Sequence, residues 1–546
     1  MGAADDTHEV LNQSPPFVGV HLYQSDPGLG SLTEGLPRAV NDRLNLLGEA
    51  LGSRESFELG RLANVFPPAL RTHDPHGFRV DAVEFNPAYH ALMRRSVAAG
   101  LHASLWDASE TEAPVRHVAR AAALYMTAQA ECGHICPMTM TSAAVAALRH
   151  APDLASAWLP KIRSRQYDSS SRPFTDKKGV TLGMGMTEKQ GGSDLSGSTT
   201  KAEDARDGTW KITGHKWFLS APMSDAFLVL ARARDGLTCF LVPRHLPDGR
   251  RNAMRYERLK DKLGNRSNAT AEAEFNGATG FLVGEAGRGV PAIIDMVTLT
   301  RLDCALASAG LMRTALAEAV HHVRHRKAFG SVLGDQPLMT RVLADMTLDA
   351  LAAAALCFRL AEAHDRAGSD PAEAAFARLM TPAIKYWVSK IAPALVAEAM
   401  ECLGGNGYIE ESRLPRIYRE VPVNAIWEGA GNVMALDVMR VLRKSSEPLE
   451  AVLGLIEDSL SGAAKSSLNI VRSAAAVALA DEGSARILTE QLAMTVAAAS
   501  LRRRFPSAIA DAFYETRMTK PWRSTYGMLD SRFDARAFIN FVFPRV

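Results

Sequence analysis

The stretch Met184-Gly185-Met186-Thr187-Glu188-Lys189-Gln190-Gly191-Gly192-Ser193-Asp194 lies where the hydrophobic period of the chain changes. Before it, up to about residue 180, apolar residues recur at three- and four-residue spacing, as over 39–62 and 115–150, which predicts amphipathic helices. After it, to about residue 285, the period is two, as in Trp210, Ile212, Trp217, Leu219 and the run 227–231, which predicts strands. Asp207-Gly208, Asp235-Gly236 and Asp248-Gly249 fall between such runs, and Asp-Gly supplies the positive φ of tight hairpins. The expectation is an antiparallel barrel or sandwich after a helical domain, with the boundary in the Ser-, Lys- and Asp-rich segment 167–179.

Beyond Gly289 the helical period returns, with Pro291 suited to a first helical turn, and runs about 38 residues to Gly330. Further helical patterns cover 337–367 and 371–403, the latter stopped by Gly404-Gly405, and a fourth begins near Asn432. Four long helices make a bundle. After about Ser445 follow roughly 100 alanine-rich, mainly helical residues. The expected domains are 1–180, 181–286, 287–445 and 446–546.

Composition agrees with several domains. At about 100 to 200 residues each, 546 residues predict three or four. Apolar residues are 47% and charged residues 22%, which excludes wholesale disorder, collagen-like and disulfide-scaffold classes. Lys and Arg total 62 against 60 Asp and Glu, so no global field draws nucleic acid or a membrane, and an anionic partner must meet a local patch. Six scattered cysteines, an acidic start and the lack of an apolar run near the roughly 20 residues a bilayer needs point to a soluble cytoplasmic protein.

Some chemistries lose ground directly. His321, His322 and His325 have helical spacing, but Arg324, Arg326 and Lys327 interleave with them and disfavour a divalent metal. Cys132 and Cys136 have no second ligand pair and read as buried thiols. Neither a phosphate loop nor a Gly-x-Ser-x-Gly elbow occurs. The glycine-rich stretch 184–194 read alone is a loop, although amides freed by glycines, with the Ser193 hydroxyl, can hold flavin carbonyls or a phosphate. Three other segments follow it in order: Arg326-Lys327-Ala328-Phe329-Gly330, Leu403-Gly404-Gly405-Asn406-Gly407-Tyr408 and Ile426-Trp427-Glu428-Gly429-Ala430-Gly431-Asn432.

Their order and spacing resemble the acyl-CoA dehydrogenase family over about residues 40 to 445: a helical domain, a β domain opening on Thr-Glu then Gly-Ser-Asp, and a four-helix domain with Arg-x-x-Phe-Gly, Gly-Gly-Asn-Gly and Glu-Gly. Glu58 to Val65, Met184 to Asp194, Leu259 to Asn268 and Asn424 to Asn432 are similar, within that family, to the flavoproteins of the bacterial adaptive response to DNA alkylation. The implied fold is multidomain and mainly α, acyl-CoA dehydrogenase-like, with an extra C-terminal helical domain.

The resemblance implies FAD between the β domain and the bundle. Met184, Met186 and Thr187 would line the isoalloxazine, Phe218, Leu219 and Ser220 its other side, and Gly192 and Ser193 the boundary between flavin and acyl-CoA. From a neighbouring subunit, Arg326 would meet the pyrophosphate, Phe329 the adenine, and Gln336, Glu401, Gly404 and Gly405 the rest. Ile426, Gly429, Ala430 and Asn432 surround Glu428, which matches the family's general base. Shared sites imply a homo-oligomer, a tetramer built as a dimer of dimers. From the residues alone, Arg326 reads equally as a solvated helix-end cation, Glu428 as an acidic residue starting the helix at Asn432, and Asp303 as a rival carboxylate. Lys189, Gly191, Glu401 and Ala430 replace the family's usual Pro, Ala, Gln and Thr, and Phe218 stands where a Trp is common. These departures predict weak or vestigial dehydrogenase activity with FAD retained.

From Arg502 onward, Arg502, Arg503, Arg504, Arg517, Lys520, Arg523, Arg532, Arg536 and Arg545 outnumber Asp511, Glu515, Asp530 and Asp534. By charge this is a solvated helix face or a nucleic-acid patch. The resemblance favours the latter and implies double-stranded DNA bound at phosphates by Arg502, Arg503, Arg504, Arg517, Lys520 and Arg523 in a protein that protects DNA against alkylation. The alternative is a genuine FAD-dependent acyl-CoA dehydrogenase of branched or medium-chain substrates with no DNA role. A scaffold without cofactor leaves the recurring glycine segments unexplained.

Overall fold

In the computed structural model, which describes residues 7–107, 113–460, 462–519 and 532–544, helices give way to strands and strands to helices. The N-terminal region holds α1 (Pro27–Leu32), α2 (Arg38–Gly52), α3 (Arg54–Val65), α4 (Pro87–Ala98), α5 (Arg116–Ala130), α6 (Ile135–Leu148) and α7 (Pro152–Ile162). The periodic run 39–62 divides at Ser53, whose hydroxyl caps α3 by accepting the Ser56 amide at 3.1 Å. The run 115–150 divides at Glu131, whose carboxylate accepts the Gly133 and His134 amides, both at 2.9 Å. Periodicity missed a two-stranded hairpin, β1 (Ala69–His73) and β2 (Arg79–Glu84), because neither face is apolar enough to stand out. Arg79 ties it to the next domain through the Tyr256 carbonyl at 2.8 Å.

That domain comprises β3 (Leu182–Gly185), β4 (Lys201–Asp204), β5 (Trp210–Ser220), β6 (Ala226–Ala233), β7 (Gly236–Pro243), β8 (Met254–Leu259) and β9 (Thr270–Val283). Strands β6, β4, β5, β9 and β7 pair successively, and β7 pairs back to β6, so the sheet closes into a barrel. Closure leaves few free edges. The pairing is antiparallel except that β3 and β4 run parallel to β6. Asp207-Gly208 and Asp235-Gly236 turn the hairpins β4–β5 and β6–β7. Asp248-Gly249 instead turns an excursion between β7 and β8, whose own partner is β9.

The bundle consists of α8 (Gly289–His325), α9 (Pro337–Arg366) and α10 (Pro371–Cys402), with α11 (Leu414–Asn424) and α12 (Gly431–Leu442). A small hairpin, β10 (Lys327–Ala328) and β11 (Ser331–Val332), joins α8 to α9. The fourth long helix expected from Asn432 has only 12 residues, ending before the polar run Arg443-Lys444-Ser445. Against the bundle lie α13 (Glu447–Glu457), α14 (Ser466–Ala480), α15 (Ala485–Arg504), α16 (Ser507–Arg517) and α17 (Ala535–Val542). One continuous apolar core runs from Leu22 through the bundle to Phe543, so the last helices share the core of the rest. Among the described residues no helix is long and apolar enough to cross a membrane.

Candidate active site

Glu428 sits in the turn between α11 and α12 with φ of +59°, followed by Gly429 at +108°. A non-glycine residue in that region costs about 1–3 kcal/mol unless its surroundings hold it there. Here they do. Thr300, in the middle of α8, donates its hydroxyl to a Glu428 carboxylate oxygen at 2.6 Å, and Arg301 Nε donates to the Glu428 carbonyl at 3.0 Å. Lys385 of α10 donates Nζ to the Gly429 carbonyl at 2.5 Å. Gly429 is favoured by its φ, and a Cβ there would also have to displace the Met434 methyl. Arg301 and Arg378 share Asp437 of α12 at 2.7 and 2.8 Å, locking the far side of the turn.

Burial raises the pKa of Glu428 above the ordinary carboxylate value, only partly offset by the Thr300 hydroxyl and the charges of Arg301 and Lys385. Asp303, the rival carboxylate, is a structural group. It accepts Arg120 bidentately at 2.6 and 2.7 Å and the Thr139 hydroxyl at 2.8 Å, and both members of the ion pair are buried. It is thus committed to joining α5, α6 and α8.

The strip 184–194 forms a rim of the barrel. Met184 and Met186 are half-buried, and Thr187 accepts the Trp217 amide at 2.9 Å, placing Phe218 beside it with its ring half-exposed. Leu219 is wholly buried in the barrel core, so it offers a ligand only main chain. Ser220 is half-buried and Ser193 exposed. Glycine is needed at Gly192, where a Cβ would meet the Thr187 hydroxyl at 2.3 Å. Beneath the strip Glu188 pairs with buried Lys216 at 2.7 Å. Burial works to raise the Glu188 pKa, but hydrogen bonds from Lys216 and the Thr199 and Thr200 amides prevail and lower it to about 2.

The second group of predicted residues gathers at the other end of α8. Arg326 Nη1 donates to the Asn12 carbonyl at 2.6 Å, and Asn12 exchanges two further bonds with the Lys327 main chain at 2.7 and 2.8 Å. Gln336 donates to the Ala328 carbonyl at 2.9 Å, and Phe329 projects from the hairpin with 98% of its surface exposed. Glu401, Gly404 and Gly405 are exposed, and no atom blocks the space over either glycine. His321 and His322 hold the N-terminal segment through the Pro15 carbonyl at 2.7 Å and the Ser14 hydroxyl at 3.0 Å. From Thr300 to Arg326 along a continuous helix is roughly 40 Å at 1.5 Å per residue. One chain therefore does not bring its Arg326 end to its own Glu428.

The described cations of the basic tail differ in burial, and several are ion-paired within the chain. Arg517 is buried between Asp345 and Asp349 of α9 at 2.7 and 3.0 Å. Arg503 and Arg504 both pair with buried Glu362, Arg503 at 2.7 Å, and Arg502 meets Asp511 at 3.0 Å. Within the chain these four guanidiniums join α15 and α16 to α9 and to each other; the Arg517 side chain is 5% exposed, whereas Arg502 and Arg503 keep 28 and 37% of theirs in solvent. Lys520 and Arg523 lie outside the described residues, as does Arg545.

Thr300, Arg301, Lys385 and Asn12 were not legible as site residues, since each lies far in sequence from the group it serves. A basic residue in the apolar stretch of α10, Lys385 among Ile384, Tyr386 and Trp387, was the available signal.

Three family models match the chain: the adaptive response protein AidB N-terminal domain over residues 12–169, the acyl-CoA dehydrogenase middle domain over 183–278 and the acyl-CoA dehydrogenase C-terminal domain over 287–443. The sequence is 50% identical over 445 residues to AidB of Escherichia coli (strain K12), covering 81% of each chain. It is 34% identical over 444 residues to acyl-CoA dehydrogenase family member 11 of Caenorhabditis elegans, covering 77% of this chain and 70% of that protein. The structure of Caenorhabditis elegans ACDH-11 in complex with C11-CoA is similar with a TM-score of 0.86 at 28% identity, covering 99% of this chain and 98% of that one.

Proposed function

Since the chain belongs to the acyl-CoA dehydrogenase family, in its AidB branch, we propose that it is a FAD-dependent oxidoreductase of acyl thioesters with Glu428 as general base. The observation that carries this reading is the Glu428 turn: a carboxylate in a strained backbone, its oxygen fixed by Thr300 and its pKa raised by burial. FAD, the family's cofactor, supplies acceptance of a hydride from the β-carbon. Half-exposed Phe218, half-buried Met184, Met186 and Ser220, and the exposed Ser193 hydroxyl fit the ring. Arg326, Phe329 and the open main chain at Gly404 and Gly405 fit the dinucleotide. Glu428 removes the proton α to the thioester carbonyl, so proton and hydride leave the substrate together as a Cα–Cβ double bond forms.

The roughly 40 Å along α8 between Thr300 and Arg326 supports a shared site, Arg326 and Phe329 of one copy completing the pocket of another. The proposed assembly is a tetramer, a dimer of dimers. Phe329, Leu338 and Tyr408 around that end, 98, 81 and 80% exposed, are apolar surface that a second copy would cover. The C-terminal helices fit an acyl-CoA protein, because the similarity to ACDH-11, solved with C11-CoA, extends over 99% of this chain. The substitutions Lys189, Gly191 and Ala430 favour slow turnover.

A second reading, favoured by the adaptive-response model over residues 12–169, is that this flavoprotein binds double-stranded DNA in the cytoplasm and protects it from alkylation. With Arg517 buried in its ion pairs, contact would fall to the cations that keep exposed surface, Arg502, Arg503 and Arg536, and to Lys520 and Arg523. Retention of a DNA duplex that weakens steeply with salt supports it. Equal and negligible retention at all salt concentrations rejects it.

The test of the first reading is anaerobic flavin reduction by C11-CoA. Glu428→Gln should keep its FAD and lose about 100- to 10,000-fold in rate. Because the base acts ionised and burial raises its pKa, the parent rate should fall on acidification with a midpoint above the ordinary glutamate value of about 4.3. An undiminished rate in Glu428→Gln refutes the assignment.

A further inference from the structure

Lys385 is an ammonium held in a place that disfavours it. It lies in the middle of α10, three residues after Pro382, with about 1% of its surface exposed and Ile384, Tyr386 and Trp387 around it in sequence. Among the described residues no carboxylate pairs with it, and its one hydrogen bond is to the Gly429 carbonyl at 2.5 Å. Burial lowers its pKa to about 8. A buried cation without a carboxylate costs the fold free energy. It sits where the base turn needs a donor, since with φ of +59° and +108° at residues 428 and 429 the two successive carbonyls are directed into the bundle. Arg301 of α8 takes the first and Lys385 of α10 the second.

We propose that Lys385 is a positioning residue for Glu428: its ammonium clamps the 428–429 turn from α10 and, as a fixed positive charge beside the base, keeps the carboxylate available for proton removal. This rests on the assignment of Glu428 as base but names a group that does not touch substrate. Facing Glu428 are Thr300, Arg301, Asp303 and Cys304 of α8 and Cys136 of α6. Lys385 and Lys390 approach the turn from α10, with Lys390 Cε 2.9 Å from where a Cβ on Gly431 would stand. Of these cations, Arg301 is charge-balanced by Asp437 and Lys390 is exposed to solvent, which leaves Lys385 as the buried cation next to the turn without a carboxylate ion pair.

The experiment compares the parent holoenzyme with Lys385→Met, which removes donor and charge at similar volume, and Lys385→Gln, which keeps a donor without the charge. Hydrogen exchange of the peptide covering residues 425–434 reads the turn. Anaerobic flavin reduction by C11-CoA across pH reads the base. In Lys385→Met the turn amides should exchange about 10- to 100-fold faster, the scale of one hydrogen bond to a charged group. FAD content should match the parent, the acid limb of the rate should move to higher pH, and the maximal rate should fall without a matching rise in KM. Thermal stability should hold or rise, because an unpaired buried cation is gone. In Lys385→Gln the turn should stay ordered while the acid limb still moves. If Lys385→Met does not fold, Lys385→Gln carries the pH test alone. Unchanged exchange together with an unmoved acid limb, or a general loss of stability with the limb unmoved, overturns the proposal. If Lys385→Met loosens the turn while Glu428→Gln keeps the parent rate, the base assignment falls and the clamp stands.

Discussion

Arg517→Met should destabilise the protein strongly although the residue lies in a stretch that reads as a solvated basic tail. Arg517 and its two partners, Asp345 and Asp349, have side chains 5, 1 and 8% exposed, so solvent screening is slight. Removing the cation leaves two buried carboxylates facing each other on α9. Breaking a buried pair from one side costs about 3–5 kcal/mol. At about 2–4 °C per kcal/mol for a cooperative unit of 150–250 residues, that is a fall of about 6–20 °C in Tm. Circular dichroism at 222 nm in saturating FAD measures it. Neutralising the site in the triple variant Arg517→Met, Asp345→Leu, Asp349→Leu should recover most of the loss, because a well-packed apolar replacement of an ion pair is often neutral or better. A melt of Arg517→Met within about 2 °C of the parent would refute the reasoning, since it would mean the two aspartates need no cation.

Two further outcomes follow from the same kind of geometry. Asp303→Asn should lower Tm by a comparable amount, as Arg120 loses a bidentate partner in the core, and, because the Asp303 charge helps to raise the Glu428 pKa, the acid limb of C11-CoA oxidation should move to lower pH with the oxidation retained; loss of oxidation with intact stability would return Asp303 to the chemistry. Asn12→Ala removes the two side-chain bonds to the Lys327 main chain, while the Asn12 carbonyl can still accept Arg326, and should raise the Kd for FAD about 3- to 10-fold, measured by fluorescence titration of the apoprotein. An unchanged Kd would mean that the hairpin keeps its shape unaided.

The order of helical and alternating periods located the three main folding regions because burial on one face imposes those periods. The small β1–β2 hairpin escaped because no apolar face marks it, and α12 fell short of the expected length because Arg443-Lys444-Ser445 cannot continue into the core. Glu428 was singled out through the resemblance of its Glu-Gly segment to the family motif, and its neighbour Gly429 has the positive φ of the turn. Its supports were not: Thr300 and Lys385 act across 128 and 43 residues of sequence, and only packing of α8 and α10 brings them there. The ion pairs of the tail were hidden for a related reason. Counting charges in Arg502 to Arg517 ignores that their counter-charges, Glu362, Asp345 and Asp349, lie on a helix more than a hundred residues earlier.

The length of α8 has a consequence in mass action. If, as proposed, Thr300 serves one pocket and Arg326 the pocket of another copy, every flavin bound is also a link between subunits, and every dissociation opens two pockets at once. Cofactor content then becomes a function of protein concentration: dilution below the dissociation constant of the subunits should bleach the protein, added FAD should drive reassembly, and the melting temperature should climb with both.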